Sequence, residues 1–402
     1  MKNFRILVHF ELKKILCRKI TWISFGIVFG IMLTVGFYRA FVSHEVNGVR
    51  VTAHEEEMQI KAEEKKLAGR MINDELLEDM FQAMAADEAA FQPYRTFYNE
   101  LVRDLCSSNT LALSSGSVAG AKEVLGISPE EDLIYAARRK KIERSLEDQY
   151  LTEGEKAYWR NVLDKEKNIP WEYDYYQGVD YVWVAAYTAI VLIALMLAVC
   201  LANLFADEHQ KRTDQLVLCT RNGKKLLFGA KMTAGGLFTL VSTGLVLLAT
   251  AVPQLMMFGA DGWNAPIQLV TPNSMVQMTF WEMILYTYAL AIIASLLYCS
   301  IILCCSELFR NSTVAVLAVI VILVLVPMIV VVPYEYRVLS QIFDLNPITV
   351  LAIWSVVDFR LVPFFGSYLT VHQVAPMLYI VLAAMFVLIG RRAYLRFQVS
   401  GR

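Results

Sequence analysis

Six long apolar runs constrain this chain of 402 residues more than any other feature. Each is nearly free of charge over about 20 residues, the length that a helix needs to cross the hydrocarbon of a bilayer. A helix also satisfies its own backbone hydrogen bonds, as a lipid environment requires. At 56% hydrophobic residues, the composition is too apolar for a soluble domain of this size. The sequence predicts an all-α integral membrane protein with six transmembrane helices, at 20–42, 181–206, 227–258, 280–306, 312–333 and 374–390.

The region between the first two runs, 43–180, differs in charge from the rest. Residues 44 to 178 carry 27 acidic and 17 basic side chains, a net of −10, whereas the remainder nets +9. This contrast indicates an aqueous domain set into a membrane protein with basic margins.

Local patterns predict that this domain is helical. Ser128–Glu131 and Thr152–Glu155 have the form of capping boxes, and Ser107–Gly120 has the composition of a loop. We expect the last helix to end by Pro170 and the aromatic stretch 171–176 to lie at the membrane interface.

Lysine and arginine mark one side of the membrane. They precede the first run, lie between the second and third, and follow the sixth, while the opposite loops carry few of them. The positive-inside rule therefore predicts cytoplasmic termini, with a tail at 391–402, and an extracytoplasmic domain at 43–180 of a cell membrane protein. The first run is too long for a cleaved signal peptide and no small-residue cleavage site follows it.

Two further segments are predicted to lie along the membrane. Residues 1–19 form an amphipathic helix on the cytoplasmic surface, with an unstructured basic lead-in as the alternative. The segment 341–369 is apolar but interrupted, and Asn346, Pro347, Asp358 and Arg360 are its candidate site residues. Its longest uncharged piece, 345–357, has 13 residues and is too short to cross. We interpret the segment as two short re-entrant helices, or as an interfacial pair of similar shape.

The segment 207–226, between the second and third runs, is charged and amphipathic. Its short apolar strip has charge on both sides, a pattern that suits a groove on a soluble partner. The alternative is an ordinary cytoplasmic loop with positive-inside charge. The candidate coupling residues are Asp207, Glu208, Arg212, Thr213, Asp214, Leu216, Val217, Leu218, Arg221, Lys224 and Lys225.

Motifs for chemistry are absent from the sequence. It contains no GxxxxGK[ST], no HExxH and no GxSxG, and its five histidines are scattered. We therefore predict no catalytic, cofactor-binding or metal-ligating residues, and a protein that is not itself an enzyme.

Taken together, these features resemble the permease subunits of type-two ATP-binding-cassette (ABC) exporters over essentially the whole chain. Members have an elbow helix, six spans, a coupling helix between the second and third, and two re-entrant helices before the sixth. In bacterial members the coupling loop often has a phenylalanine, acidic residues, a basic Thr-Asp pair, an apolar strip and a basic Gly-Lys-Lys turn. The matching residues here are Phe205, Asp207, Glu208, 212–214, 216–218, Arg221 and 223–225.

The resemblance implies a partner-driven transporter. ATP and Mg would be held by a separate cytoplasmic ABC ATPase, and a second permease, identical or a sister, would complete the pathway in the lipid bilayer. No nucleic-acid partner is implied. The nearly uncharged spans favour an amphipathic exported substrate, such as a lipid, a lipopeptide, an antimicrobial peptide or a drug. The alternatives are a mechanotransmission permease, which usually has four spans, and a membrane sensor whose outer domain binds a peptide.

Overall fold

A computed structural model describes residues 2–46, 49–106, 110–148, 150–166, 170–210, 223–364 and 366–396. In that part of the chain, six helices are long and apolar enough to cross a membrane, which confirms the predicted number of spans. Among these residues, four short strands form two separate hairpins, and most of the rest is helical.

The N-terminal half contains one span and a helical insert. In chain order its elements are α1 (Lys2–Leu16), α2 (Lys19–Phe41), β1 (Ser43–Val46), β2 (Val49–Thr52), α3 (Ala53–Glu64), α4 (Asp74–Ala86), α5 (Glu88–Phe91), a 3-10 turn (Gln92–Tyr94), a π-helix (Phe97–Val102), α6 (Arg103–Cys106), α7 (Thr110–Ser114), α8 (Val118–Leu125), α9 (Leu133–Asp148) and α10 (Glu153–Glu166).

The remaining spans follow. Their elements are α11 (Gln177–Leu201), α12 (Asn203–Gln210), α13 (Gly223–Phe258), a 3-10 turn (Ile267–Leu269), α14 (Phe280–Phe309), α15 (Ser312–Ile320), a π-helix (Val321–Leu325), α16 (Val326–Ile329), α17 (Arg337–Asp344), α18 (Pro347–Val350), a 3-10 turn (Ile353–Val357), β3 (Val362–Phe364), β4 (Ser367–Leu369) and α19 (Val371–Arg396). Spans 1 to 6 are α2, α11, α13, α14, α15 to α16, and α19.

Several spans are longer than the apolar runs that predicted them. Span 3 begins at Gly223 rather than 227, span 4 continues to Phe309, and span 6 covers Val371–Arg396. Helical hydrogen bonding does not stop where the hydrocarbon stops, so charged residues extend each helix into water. Span 5 is shorter than predicted and ends at Ile329. Val332, the residue before Pro333, is disfavoured in a helix, so the helix does not reach residue 333.

Spans 2 and 4 form the centre of the bundle. Span 2 packs on spans 1, 3, 4 and 5, and span 4 packs on spans 2, 3, 5 and 6. Buried small residues such as Ala189 and Ala194 of span 2 and Ala291 and Ala294 of span 4 let the helix backbones approach closely. Spans 1, 5 and 6 are largely exposed, as peripheral helices that face lipid or another subunit would be.

The insert is not an independent domain, because it shares a hydrophobic core with the membrane spans. Its hydrophobic core contains Leu76, Phe81 and Phe97, and continues without a break into Trp183 of span 2 and Phe280 of span 4. The insert and these two spans therefore form one folded unit.

Polar contacts fix the insert to the loops at the same end of the bundle. Arg138 of α9 donates to the carbonyl oxygens of Pro272 and Ser274, at 2.8 and 2.7 Å, in the loop between spans 3 and 4. Trp159 of α10 donates to the carbonyl of Phe359, at 2.6 Å, between spans 5 and 6. Motion of either loop would therefore be transmitted to the insert.

Two predictions for the insert were wrong in detail. The Ser128–Glu131 sequence forms a turn, and α9 begins at Leu133, whose N–H is capped at 2.8 Å by Asp74 of α4. The predicted loop at 107–120 contains α7 and the start of α8, although its residues 107–109 lie outside the described chain. By contrast, the Thr152–Glu155 capping box is confirmed, with Thr152 N donating to Glu155 Oε2 at 2.8 Å.

The aromatic stretch 171–176 was expected at the membrane interface, which is wrong. Trp171, Tyr173, Tyr175 and Tyr176 are all buried inside the protein. The insert covers them: Tyr173 meets Phe97 edge to face, with ring centroids 5.7 Å apart. Protein contacts take the place of the lipid interface here.

The segment 341–369 combines short helices with a hairpin. α17 starts at Arg337 and α18 has only four residues, after which a 3-10 turn leads to the β3–β4 hairpin. Pro363 cannot donate within a helix, and Gly366 has a φ of +82°, so the chain turns back as a hairpin instead.

A buried carboxylate in α3 gives the insert a pH-dependent stability. Glu64 is fully buried and accepts hydrogen bonds from Thr96 Oγ1 and from Tyr173 Oη. Burial raises its pKa from 4.5 to about 7, against the opposing effect of those hydrogen bonds. Because the folded state holds the proton more tightly than the unfolded state, stability is greatest below pH 4.5 and falls as pH rises towards 7.

We predict that Glu64→Gln reduces this pH dependence. The wild type should lose on the order of 2 kcal/mol of unfolding free energy between pH 5 and 8, roughly 3 °C in thermal midpoint, and the variant should lose clearly less. Thermal melts of the purified protein at both pH values measure the difference. Glu123→Gln, at an exposed carboxylate, is the control and should keep the wild-type slope. Equal slopes for wild type and Glu64→Gln would contradict this account.

Candidate functional site

Four of the predicted coupling residues are described, and they lie at the end of the bundle opposite the insert. Asp207 and Glu208 are in α12, which continues span 2, and Lys224 and Lys225 are in the first turn of α13. The linker 211–222 lies outside the described residues, and with it Arg212, Thr213, Asp214, Leu216, Val217, Leu218 and Arg221. The described residues therefore show the two helix ends that hold this linker.

A buried lysine organises this end of the bundle. Lys231, in the third turn of α13, has no solvent exposure, and its Nζ lies 2.9 Å from Glu208 Oε1 and 3.3 Å from Glu11 Oε2. It also donates to the carbonyl of Leu204 at 2.6 Å. A single ammonium group thereby joins α1, α12 and span 3.

A second lysine completes the charge balance. Lys14 of α1 lies 2.6 Å from Glu11 and 3.1 Å from Glu208, so two lysines neutralise two carboxylates. Partial burial lowers the pKa of Lys14, but its two acidic neighbours outweigh this effect and raise the pKa overall. Buried charges persist only when they are paired in this way.

The short link between α1 and span 1 has a further ionic contact with α12. Arg18, just before span 1, donates through Nη2 to Asp207 Oδ2 at 2.6 Å. The N-terminal helix predicted to lie on a membrane surface is thus fixed to the end of span 2 and packs along the start of span 3.

Span 4 holds the turn between α11 and α12. Ser306 Oγ donates to the carbonyl of Ala202 at 2.5 Å and accepts from the N–H groups of Phe205 and Ala206, at 3.2 and 3.1 Å. The next residue, Glu307, lies 2.9 Å from His209 Nε2. Backbone groups that the turn would leave unpaired are therefore satisfied by a neighbouring span.

Span 6 joins the same point through aromatic packing. Phe205 of α12, Phe228 of span 3 and Tyr394 of span 6 form a trio with ring centroids 5.5 to 5.7 Å apart. We call α12 and the residues that hold it (Glu11, Lys14, Arg18, Phe228, Lys231, Ser306, Glu307 and Tyr394) the α12 junction. A force applied to α12 would act on α1 and on spans 2, 3, 4 and 6 together.

Most members of the junction were not predicted as site residues. Lys231 is one of the basic residues between the second and third runs, but a lysine inside an apolar helical run is also a signal for a buried partner. Glu307 lies at the end of span 4, and its pairing with His209 could not be read from the sequence. Glu11 and Ser306 carry no signal in the sequence, because their partners are distant along the chain.

The four residues assigned to the segment between spans 5 and 6 lie at the opposite end. Asn346 caps α18 by accepting from Ile348 N at 3.0 Å, and Pro347 is its first residue. Arg360 is buried and pairs with Asp358 and Asp344. In the described residues no group of three or more His, Cys, Asp or Glu side chains is arranged to hold a metal ion.

Comparison with known proteins agrees with this architecture. A family model described as ABC-2 family transporter protein matches residues 110–391, which include part of the insert, spans 2 to 5 and most of span 6. Neither the curated proteins nor the solved structures searched gave a match. Since the matched region is well over half of the chain, this protein belongs to the ABC-2 family of transporter permeases.

Proposed function

We propose that the chain is the permease subunit of an ABC exporter, and that its linker between spans 2 and 3 docks on a separate ATPase. Family membership supports a membrane transport subunit that pairs with an ATPase. The observation that carries the docking proposal is the α12 junction, because the helix leading into that linker is held by ionic contacts, hydrogen bonds and aromatic packing with four other helices. ATP-driven movement of the linker would then move the spans as rigid bodies.

Charge supports the side on which docking occurs. Lys14, Arg18, Lys224, Lys225 and Lys231 all lie at the junction end, whereas the net-acidic insert lies at the other. By the positive-inside rule the junction end is cytoplasmic and the insert is extracytoplasmic. Both termini are then cytoplasmic, since α1 and the end of span 6 belong to the junction end.

A second permease would complete the transport pathway. Span 1 presents Ile23, Ile27, Gly26 and Gly30 on faces that the rest of the described chain leaves uncovered, and nothing lies within 4 Å of a Cβ built on either glycine. Such a GxxxG face supports close approach of another helix. The six spans count against a mechanotransmission permease, which usually has four.

The apolar strip of the linker gives the most direct test of docking. Leu216→Asp combined with Leu218→Asp places two charges where an apolar side should enter a groove on the ATPase, so we expect loss of co-purification with that ATPase by at least about tenfold. Membrane insertion should be unchanged. Met84→Asp combined with Val124→Asp, at exposed positions in the insert, is the matched control. Full retention of the ATPase by the linker variant would remove the docking assignment.

The buried lysine gives a test of the junction. Lys231→Met leaves two carboxylates with one lysine, and should lower the unfolding free energy by about 3 kcal/mol and uncouple ATP hydrolysis from transport. Adding Glu208→Gln removes the unpaired charge and should recover a large part of the stability. Thermal melts and substrate-stimulated ATPase activity of the four-member mutant cycle measure the coupling. Additive losses would show that the two side chains act independently.

A further inference from the structure

A cavity of about 750 Å³ opens at the insert end of the bundle, between span 2, the end of span 5 and the segment that follows it. Aliphatic side chains, including Met328, Val330 and Val332, form much of its wall. Four aromatic side chains line the rest: Tyr187, Tyr334, Phe343 and Trp354. A lining of this kind suits the apolar part of an amphipathic ligand.

The charges on one wall of this cavity do not cancel. Arg360 Nη2 lies 2.5 Å from Asp344 Oδ2 and 2.6 Å from Asp358 Oδ2. The neighbouring Arg337 is itself paired with Glu155 of the insert. One guanidinium against two carboxylates leaves the wall with a formal excess of one negative charge, in a site where apolar surroundings weaken screening.

Arg360 is not available to bind an anion. Its Nε and Nη2 donate to the two aspartates, its Nη1 donates to Ser340 Oγ at 2.8 Å, and its guanidinium stacks 4.2 Å from the ring centroid of Tyr334. The side chain of Asp344 is 30% exposed, so a cation can reach its carboxylate beside the aromatic rings. Carboxylates and aromatic faces are the groups that bind ammonium and guanidinium ions.

We propose that this cavity is a subsite for a cationic amphipathic peptide, whose apolar side chains occupy the aliphatic wall while a basic side chain pairs with Asp344. A phospholipid is the less suitable occupant, because its phosphate would meet the negative wall. The proposal rests on the proposed function and narrows the amphipathic substrate to one class.

The test measures quenching of Trp354, which lines the cavity, in the purified full-length chain in phosphatidylcholine nanodiscs. The signal is the difference between wild type and Trp354→Phe. The probes are a nitroxide-labelled hexapeptide of leucine and lysine, the same peptide with glutamate in place of lysine, and nitroxide-labelled phosphatidylglycerol. We expect the lysine peptide to bind at least about tenfold more tightly than the glutamate peptide.

Two pairs of variants make the test specific. Asp344→Asn should weaken binding of the lysine peptide by about fivefold, whereas Glu335→Gln, an exposed acid close by that does not line the cavity, should leave it unchanged. Val330→Phe should block the cavity without adding a second tryptophan, and Val338→Phe, at an exposed position outside it, should not block it. If Asp344→Asn does not fold, the comparison of Val330→Phe with Val338→Phe tests the cavity.

Equal binding of the two peptides, preferential quenching by the lipid, or unchanged binding in folded Asp344→Asn and Val330→Phe would overturn the proposal. Co-purification of the ATPase is measured on the same preparations. If the ATPase is retained and the peptide does not bind, only the cavity assignment fails. If the ATPase is lost from the wild type, the proposed function fails.

Discussion

The arrangement of the junction end depends on Lys231, a lysine without solvent exposure whose ammonium group lies among groups from two other helices. A charge in such a place is costly unless every donor finds a partner, so Glu11, Glu208 and the Leu204 carbonyl must be present together. That requirement fixes α1, α12 and span 3 in one relative position. Ser306 and the aromatic trio then add spans 4 and 6 to the same body.

The opposite end is held in a different way. There, a continuous hydrophobic core joins the insert to spans 2 and 4, and side chains of α9 and α10 bond to the loops before spans 4 and 6. Glu155 of α10 has no solvent exposure and accepts from Arg337 and from Leu361 N at 2.7 Å, so the segment beside the cavity is also fixed to the insert. A force applied to α12 would thus be transmitted to the insert along the helices of the spans, with no flexible linker between them.

Features that depend on the length of an apolar run or on neighbouring residues could be predicted from the sequence. Six runs of sufficient length give six spans, and the Thr152–Glu155 box forms because both of its partners lie within one turn. Burial of 171–176 could not be predicted in this way, because the same aromatic residues suit a membrane interface and a protein core. The start of α9 depends on Asp74, far away along the chain, and the hairpin after α18 depends on the backbone of Gly366. The contacts around Lys231 likewise join three segments whose proximity only the fold creates.

In the proposed mechanism, the linker between spans 2 and 3 docks on an ATPase in the cytoplasm. Photo-crosslinking from p-benzoylphenylalanine placed at Val217, in cells that express the assembled transporter, would detect this contact. We expect a crosslink to the ATPase subunit from Val217 and none from the same probe at Val124 in the insert. Crosslinking of the ATPase from Val124 but not from Val217 would contradict the proposed docking.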